Sequence, residues 1–184
     1  TAPSAAGWHR HPTVKLDFAS TYPSIICTKN ICFSSRADVL PPHMRWLTRL
    51  RAHAKRHKAE ARDQSHKPFW HCVQLALKLA ANSIYGSLGA SAFRFSRSCE
   101  AGAITAAGRE ALTAAVTAAG ALPGGEVIYG TTDSVFVEFV GSSHDAALQH
   151  TAHLVEAVRT STGGLELELE GVFESLYTKC THKY

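Results

Sequence analysis

The segment that decides the fold is Glu126-Val-Ile-Tyr-Gly-Thr-Thr-Asp-Ser-Val-Phe-Val-Glu-Phe-Val140. It holds two runs of β-branched and aromatic residues, and a polar Gly-Thr-Thr-Asp turn lies between them. This pattern predicts a β-hairpin that carries Asp133 on its turn. A further strand is predicted earlier in the chain, over residues 13–18, where Val14 and Leu16 alternate with polar neighbours and Asp17 lies near the end.

A pair of antiparallel helices is predicted after the strand of residues 13–18. Pro41-Pro42 opens a long helix that has one apolar and one basic stripe. Residues 64–68 interrupt the helical pattern, and a second helix rich in Leu and Ala is predicted over about 69–85. Two helices of similar length that are separated by a short break predict an antiparallel pair.

The remaining elements complete a mixed fold. Residues 1–12 are rich in Pro, Gly, Ser and His and are predicted to be an entry loop, and Ser24–Cys27 is predicted to begin a helical or irregular stretch. Two further helices and a strand in which Leu and Glu alternate are predicted over about 100–119, 144–160 and 165–170. This order predicts the α+β class, with an antiparallel sheet covered by helices on one face.

Composition excludes several classes of protein. The 184 residues are 45% hydrophobic, which is enough for one well-packed domain. No apolar run approaches the roughly 20 residues that span a bilayer, and the N-terminus lacks a secretion signal, so a soluble intracellular protein without a membrane partner is expected. The five cysteines are an odd number without a CxxC pair and predict reduced thiols rather than disulfides or a zinc site.

The net charge of +4 is unevenly distributed. Residues 43–67 contain eight Lys and Arg against only Glu60 and Asp63, whereas the rest of the chain has a net charge of −2. A local basic block on a nearly neutral chain predicts one element that faces a polyanion.

Three segments occur in a telling order: Asp17-Phe-Ala-Ser-Thr-Tyr22-Pro-Ser-Ile-Ile26, Lys78-Leu-Ala-Ala-Asn82-Ser-Ile-Tyr85-Gly86 and Tyr129-Gly-Thr-Thr-Asp133-Ser134. They resemble the DxxSLYPSII, KxxxNSxYG and YGDTDS signatures of family B, replicative-type DNA-directed DNA polymerases. Ile104–Leu112 resembles the palm helix of that family, and Leu165–Tyr184 resembles its ELE…KKRY segment. The resemblance therefore covers about residues 13–184.

The resemblance implies an antiparallel-sheet polymerase palm with a two-helix antiparallel fingers hairpin. The palm would comprise residues 1–40 and 87–184, and the fingers residues 41–86. The exonuclease, N-terminal and thumb domains of such enzymes are absent from these residues. Asn30-Ile-Cys-Phe-Ser34 is similar to herpesvirus-type members, which implies a viral enzyme acting in the host nucleus.

Asp17 and Asp133 are the metal ligands that the resemblance implies, with help from the Phe18 carbonyl. Phosphoryl transfer from a dNTP depends on positioning and on charge neutralisation. Two Mg²⁺ ions, for which Mn²⁺ can substitute, provide the neutralisation and prefer carboxylate oxygens. Taken singly, Asp17 also suits a strand-terminal cap and Asp133 a hairpin turn.

The resemblance assigns the dNTP triphosphate to Arg51, Lys55 and Lys78. Arg can hold a phosphate through two hydrogen bonds, whereas Lys acts as a point charge. A solvated basic face is the alternative for Arg51 and Lys55, and Arg49 replaces Arg51 if the register slips.

Tyr22 is implied to be the steric gate that excludes a ribose 2′-hydroxyl, the alternative being a packed aromatic before a proline turn. Asn82 and Tyr85 are implied to lie against the nascent base pair. The residues implied to contact DNA are Tyr85, Gly86, Tyr129, Lys183 and Tyr184.

The sequence departs from the family at three places. Thr131 stands where the family has an Asp, and a hydroxyl supplies no negative charge. Residues 181–184 retain little of the basic KKRY segment, so weaker duplex contacts are expected. Thr21 replaces a Leu beside the gate, which is a minor change.

Template-directed transfer of dNMP from dNTP to a primer 3′-hydroxyl is therefore the predicted function. The expected partners are primer–template DNA, dNTPs, the remaining polymerase domains and a processivity factor. Two alternatives stay open: a polymerase-like DNA-binding module without catalysis, and a basic helical hairpin unrelated to polymerases, which would not bring Asp17 and Asp133 together.

Overall fold

A computed structural model of the protein describes residues 6–32, 39–61, 63, 65–94 and 96–179. The elements in chain order are β1 (Gly7–His9), β2 (Thr13–Phe18), α1 (Thr21–Thr28), α2 (Leu40–Glu60), α3 (His66–Gly89), α4 (Ser98–Gly120), β3 (Gly125–Gly130), β4 (Ser134–Phe139), α5 (His144–Thr162), β5 (Leu167–Phe173) and β6 (Leu176–Thr178). All strand pairs are antiparallel, which confirms the α+β class.

The chain divides into two compact units. We call residues 1–19 with 108–184 the sheet unit and residues 20–107 the helical unit. The predicted palm and fingers boundaries, after residues 40 and 86, stay a prediction. Within the described residues, no helix has both the length and the hydropathy of a membrane span.

The sheet unit is built on four strands in the order β3-β4-β2-β5. The central strand β2 buries Val14, Leu16 and Phe18 on one face. Successive side chains of a strand alternate between faces, so Lys15 and Asp17 lie on the opposite face. We call this second face, which also carries Tyr129 and Phe136, the open face of the sheet.

Helix α5 packs against β2 and β5. It buries Ala147, Thr151, Leu154 and Val158, at intervals of one helical turn. Ser143 caps its start by accepting a hydrogen bond from the Ala146 N–H. The helix thus covers the apolar side of the sheet.

The predicted entry loop is wrong for residues 7–9, which form β1 and pair with β6. His9 is buried there, with its Nδ1 at 2.7 Å from Glu138 Oε2 and its Nε2 at 3.0 Å from Thr178 Oγ1. These partners lie 129 and 169 residues further along the chain. No local pattern in residues 1–12 could therefore have indicated the strand.

The helical unit contains the predicted hairpin of α2 and α3. Near the turn between them, the His57 and Trp70 rings stack with centroids 4.6 Å apart, and Lys58 Nζ lies 3.1 Å from His71 Nδ1. Helix α3 begins earlier than predicted because Pro68 falls in its first turn, where the missing N–H costs no helical hydrogen bond.

The segment Ser24–Cys27, which is predicted to begin a helical or irregular stretch, lies within α1. Ser20 precedes this helix in the left-handed conformation, with φ 48° and ψ 53°. The Ser24 N–H donates to the Ser20 carbonyl oxygen, which closes the first turn.

Candidate active site

Asp17 and Asp133 lie at one edge of the sheet unit. Asp17 is near the end of β2, and its cross-strand partner on β4 is Ser134, the residue that follows Asp133. The Phe18 N–H donates to the Asp133 carbonyl oxygen at 2.8 Å, which fastens the turn to the end of β2. The antiparallel pairing of β2 and β4 is what brings the two acidic segments together.

Each carboxylate accepts a hydrogen bond from a neighbouring hydroxyl group. Ser134 Oγ donates to Asp17 Oδ1 at 2.9 Å, and Thr131 Oγ1 donates to Asp133 Oδ1 at 3.2 Å. The hydroxyl oxygens are 3.1 Å apart, and the Ser134 N–H donates to Thr131 Oγ1 at 3.1 Å. Thr131 stands where the family signature has an Asp. It links Asp133 to Ser134, and Ser134 in turn contacts Asp17.

The electrostatics of this edge favour a cation. Burial raises the pKa of Asp17 above its ordinary value, and the charges of Asp133 and Glu170 add to this rise. The hydrogen bond from Ser134 and the positive charge of Lys15 oppose it. On the same face Lys15 forms an ion pair with Glu170, and that contact raises the pKa of Lys15. The Asp17 carboxylate is thus held in a partly desolvated place near other negative charges.

The oxygen atoms at this edge suit Mg²⁺ or Mn²⁺. Mg²⁺ in phosphoryl-transfer sites is commonly held by one or two carboxylates together with substrate phosphates and water. In the described part of the chain, no group of three or more His, Cys, Asp or Glu is placed to hold a metal ion.

In the helical unit, the Tyr22 ring of α1 stacks on the Tyr85 ring of α3. Their centroids are 4.0 Å apart and the planes are inclined by 15°. The resemblance to the family signatures implied separate roles for the two tyrosines and did not indicate that their rings are in contact. Both side chains are half-buried, so each ring still offers surface to a ligand.

Arg51 is held beside the start of α1. Its Nη1 donates a hydrogen bond to Ser20 Oγ, and its Nε is buried but, within the described residues, has no hydrogen-bond partner. Arg49 lies two positions earlier, about 200° around the helix, in a surface groove that also contains Trp46 and His53. Arg51 and Arg49 thus occupy different surroundings.

The predicted residues of α3 follow one helix face. Lys78, Asn82 and Tyr85 are spaced at i, i+4 and i+7, and the first two are exposed, as is Lys55 on α2. A Cβ at Gly86 would meet no described atom within 4 Å beyond the backbone of its own helix. The packing within the described residues therefore does not require a glycine at this position.

Two groups of predicted DNA-contacting residues remain. Tyr129 is 41% exposed on the open face, and its ring packs edge-on against Phe136 with centroids 5.8 Å apart. Lys183 and Tyr184 lie outside the described residues, as do residues 33 and 34 of the herpesvirus-like segment.

Comparison with known proteins identifies the family. The model of "DNA polymerase family B" matches residues 2–39 and 34–184. Similar curated proteins include DNA polymerase alpha catalytic subunits of Drosophila melanogaster (31% identical) and Sterkiella nova (30%), each over 97% of this chain, and the DNA polymerase delta catalytic subunit of Glycine max (29%, over 91%).

The chain spans only 13%, 15% and 19% of the lengths of these three relatives, in that order. All three are eukaryotic, so the herpesvirus-type origin stays a prediction. Because the family model matches almost every residue, this chain belongs to DNA polymerase family B.

Proposed function

We propose that the protein containing this chain extends a DNA primer by template-directed addition of dNMP units from dNTPs. The observation that carries the proposal is the junction of β2 and β4, where the Ser134 hydroxyl donates to Asp17 and the Thr131 hydroxyl donates to Asp133. The Ser134 N–H donates to Thr131 Oγ1 and so connects the two groups. Family membership excludes the alternative of a helical hairpin unrelated to polymerases.

In the proposed reaction, the 3′-hydroxyl of the primer loses its proton to water, and its oxygen forms a bond to the α-phosphorus of the dNTP. The bond from that phosphorus to the bridging oxygen breaks, and pyrophosphate leaves. Asp17 and Asp133, with the Phe18 carbonyl, would hold two divalent cations, Mg²⁺ or Mn²⁺. When bound, these ions neutralise phosphate charge and stabilise the attacking and leaving oxygens.

Arg51, Lys55 and Lys78 are proposed to bind the triphosphate. The contact with Ser20 restrains the Arg51 guanidinium, and its Nε, which has no hydrogen-bond partner in the described part of the chain, is a donor for a phosphate oxygen. A buried donor without a partner costs about 1–3 kcal/mol, so an incoming anion would recover this free energy. Lys55 and Lys78 supply exposed positive charges on α2 and α3.

Tyr22 is proposed to be the gate against ribonucleotides, held in place by its stack on Tyr85. Asn82 and Tyr85 would lie against the nascent base pair, and Gly86 would leave room for the backbone to approach DNA. Tyr129 offers an exposed ring on the open face as a further DNA contact.

A DNA-binding module without catalysis is the second candidate, because Thr131 replaces an acidic residue of the signature. The hydrogen bonds of Thr131 favour the active enzyme, since they restrain the Asp133 and Ser134 side chains through a neutral group.

Primer extension by the full-length protein, in titrations of Mg²⁺ and Mn²⁺, separates the two candidates. Asp17→Asn and Asp133→Asn should each reduce the rate by about 10²-fold or more while DNA binding remains, because each removes transition-state stabilisation. Asp145→Asn, an exposed carboxylate in the first turn of α5, is the matched control. DNA binding by the unmodified protein without extension at any metal concentration would instead establish the inactive module.

A further inference from the structure

Two histidines on α2 lie in contact with each other. His53 and His57 are one helical turn apart, with their Nε2 atoms 2.9 Å from each other. The ring centroids are 4.3 Å apart and the planes meet at 77°. Two imidazole nitrogens therefore face each other at short distance on the surface of the helical unit.

The neighbouring helix restrains one of these rings. His57 stacks on Trp70 of α3, with centroids 4.6 Å apart and planes inclined by 16°. In the observed contact one Nε2 must donate a proton and the other must accept it. If the donating ring carries its proton on Nδ1 instead, both Nε2 atoms present a lone pair, and one ion can bind both without release of a proton.

We propose that His53 and His57 form a binding site for a late first-row transition-metal ion, Cu²⁺ or Ni²⁺. With metal–nitrogen bonds of about 2.0–2.1 Å, nitrogens 2.9 Å apart subtend an angle of about 90° at the ion. This angle fits adjacent positions of the square-planar or tetragonal geometry that Cu²⁺ and Ni²⁺ adopt with nitrogen ligands. It is narrower than the tetrahedral angle that structural Zn²⁺ sites require.

The neighbouring positive charges make the histidine pair more selective among divalent metal ions. Arg49 and Arg56 line the groove that contains His53, and their positive charges oppose binding of any dication. Only ions with a strong preference for imidazole overcome this repulsion, and Cu²⁺ stands highest in that order. Mg²⁺ prefers oxygen ligands, so this site is chemically distinct from the carboxylates of Asp17 and Asp133.

Titration of the full-length protein with CuCl₂ tests the proposal, using calorimetry and tryptophan fluorescence. His53→Ala and His57→Ala should each weaken one Cu²⁺ site by more than the roughly 10–100-fold that follows loss of an outer-shell partner. Bound Cu²⁺ quenches nearby indole fluorescence, and this quenching should shrink in Trp70→Phe. Both His variants should fold, because alanine is the best helix former.

His71→Ala is the matched control, since it removes an exposed α3 histidine that contacts Lys58 rather than the pair. It should bind Cu²⁺ as the unmodified protein does. NiCl₂ titrations should give the same pattern with lower affinity, and ZnCl₂ should show the smallest difference between variants. Equal Cu²⁺ affinity in the unmodified protein and the two His variants would overturn the proposal, whatever the outcome of primer extension.

Discussion

The rings of Tyr22 and Tyr85 stack with their centroids 4.0 Å apart, although they come from different helices and from different signature motifs. A ring that excludes a 2′-hydroxyl by collision must be held in place, because a freely rotating ring would move aside. We infer that the stack makes Tyr85 the residue that holds the proposed gate, Tyr22, in place. Sugar discrimination should therefore depend on both tyrosines.

The gate is tested by nucleotide competition in the full-length protein. Tyr22→Ala should raise incorporation of rNTPs relative to dNTPs, because discrimination rests on a steric clash. Tyr85→Leu should raise the same ratio by a smaller amount, since the gate remains but loses its stacking partner. An unchanged ratio in Tyr22→Ala would assign this residue to packing alone.

Lys78 should contribute to dNTP use through its charge. Lys78→Ala should lower kcat/KM for dNTPs by about 10²-fold or more, as loss of a charge-assisted contact in the transition state does. Lys67→Ala is a suitable control because Lys67 lies three turns earlier on the same helix. Equal nucleotide kinetics for the two variants would contradict the assignment of Lys78.

We expect Thr131 to affect metal binding at Asp17 and Asp133 through both its hydrogen bonds and its lack of charge, and two substitutions separate these effects. Thr131→Asp should lower the Mg²⁺ concentration that gives half-maximal rate and should raise the rate, because it adds negative charge beside Asp133. Without metal it should lower the melting temperature, since it replaces a donor to Asp133 with a like charge.

Thr131→Val provides the comparison, because it removes the hydrogen bonds and adds no charge. It should lower the rate without reducing the Mg²⁺ requirement. The interpretation fails if Thr131→Asp and Thr131→Val have the same metal dependence in primer extension.

Gly86 should make α3 less stable than an alanine would, while leaving room for DNA to approach the backbone. It lies within α3 with a negative φ and open space around its Cα, so Gly86→Ala should stabilise the helix by up to about 1 kcal/mol. The added methyl group should nevertheless weaken primer–template binding if DNA approaches the backbone here. Thermal melting and DNA affinity are the two measurements, and Gly102→Ala, an exposed glycine in α4, is the control. Unchanged DNA affinity would show that Gly86 makes no close approach.

Cys27 should react slowly with alkylating reagents at neutral pH. Burial raises the pKa of its thiol, outweighing the opposite influence of Arg45, and the thiol donates to the Pro41 carbonyl oxygen at 3.7 Å. The thiolate is the reactive form, so its alkylation rate should keep rising at pH values where an ordinary cysteine has levelled off. Mass spectrometry after iodoacetamide treatment can compare it with exposed Cys72 and Cys99. Alkylation of Cys27 as fast as theirs at pH 7 would contradict this.

Much of the fold follows from local pattern. The β-hairpin around Asp133, the strand that ends near Asp17 and the helical pair α2 and α3 all show periodicities or turn residues within short windows of sequence. These signals need no knowledge of distant residues, because the period of a helix or strand is a property of its own backbone. The signature motifs likewise indicated the family before any geometry was known.

The partnerships between distant residues were decided by the tertiary structure. The burial of His9 against Glu138, the stack of Tyr22 on Tyr85 and the contact of Arg51 with Ser20 each join residues from separate elements. Their energies arise only once the elements pack, so no window of sequence contains them. Thr131 shows both contributions. By sequence it is an acidic residue lost, and its contacts with Asp133 and Ser134 stay within one turn of the chain. The link onward to Asp17 arises only in the folded chain, because the antiparallel pairing of β2 and β4 sets Asp17 opposite Ser134, within hydrogen-bonding distance of its hydroxyl.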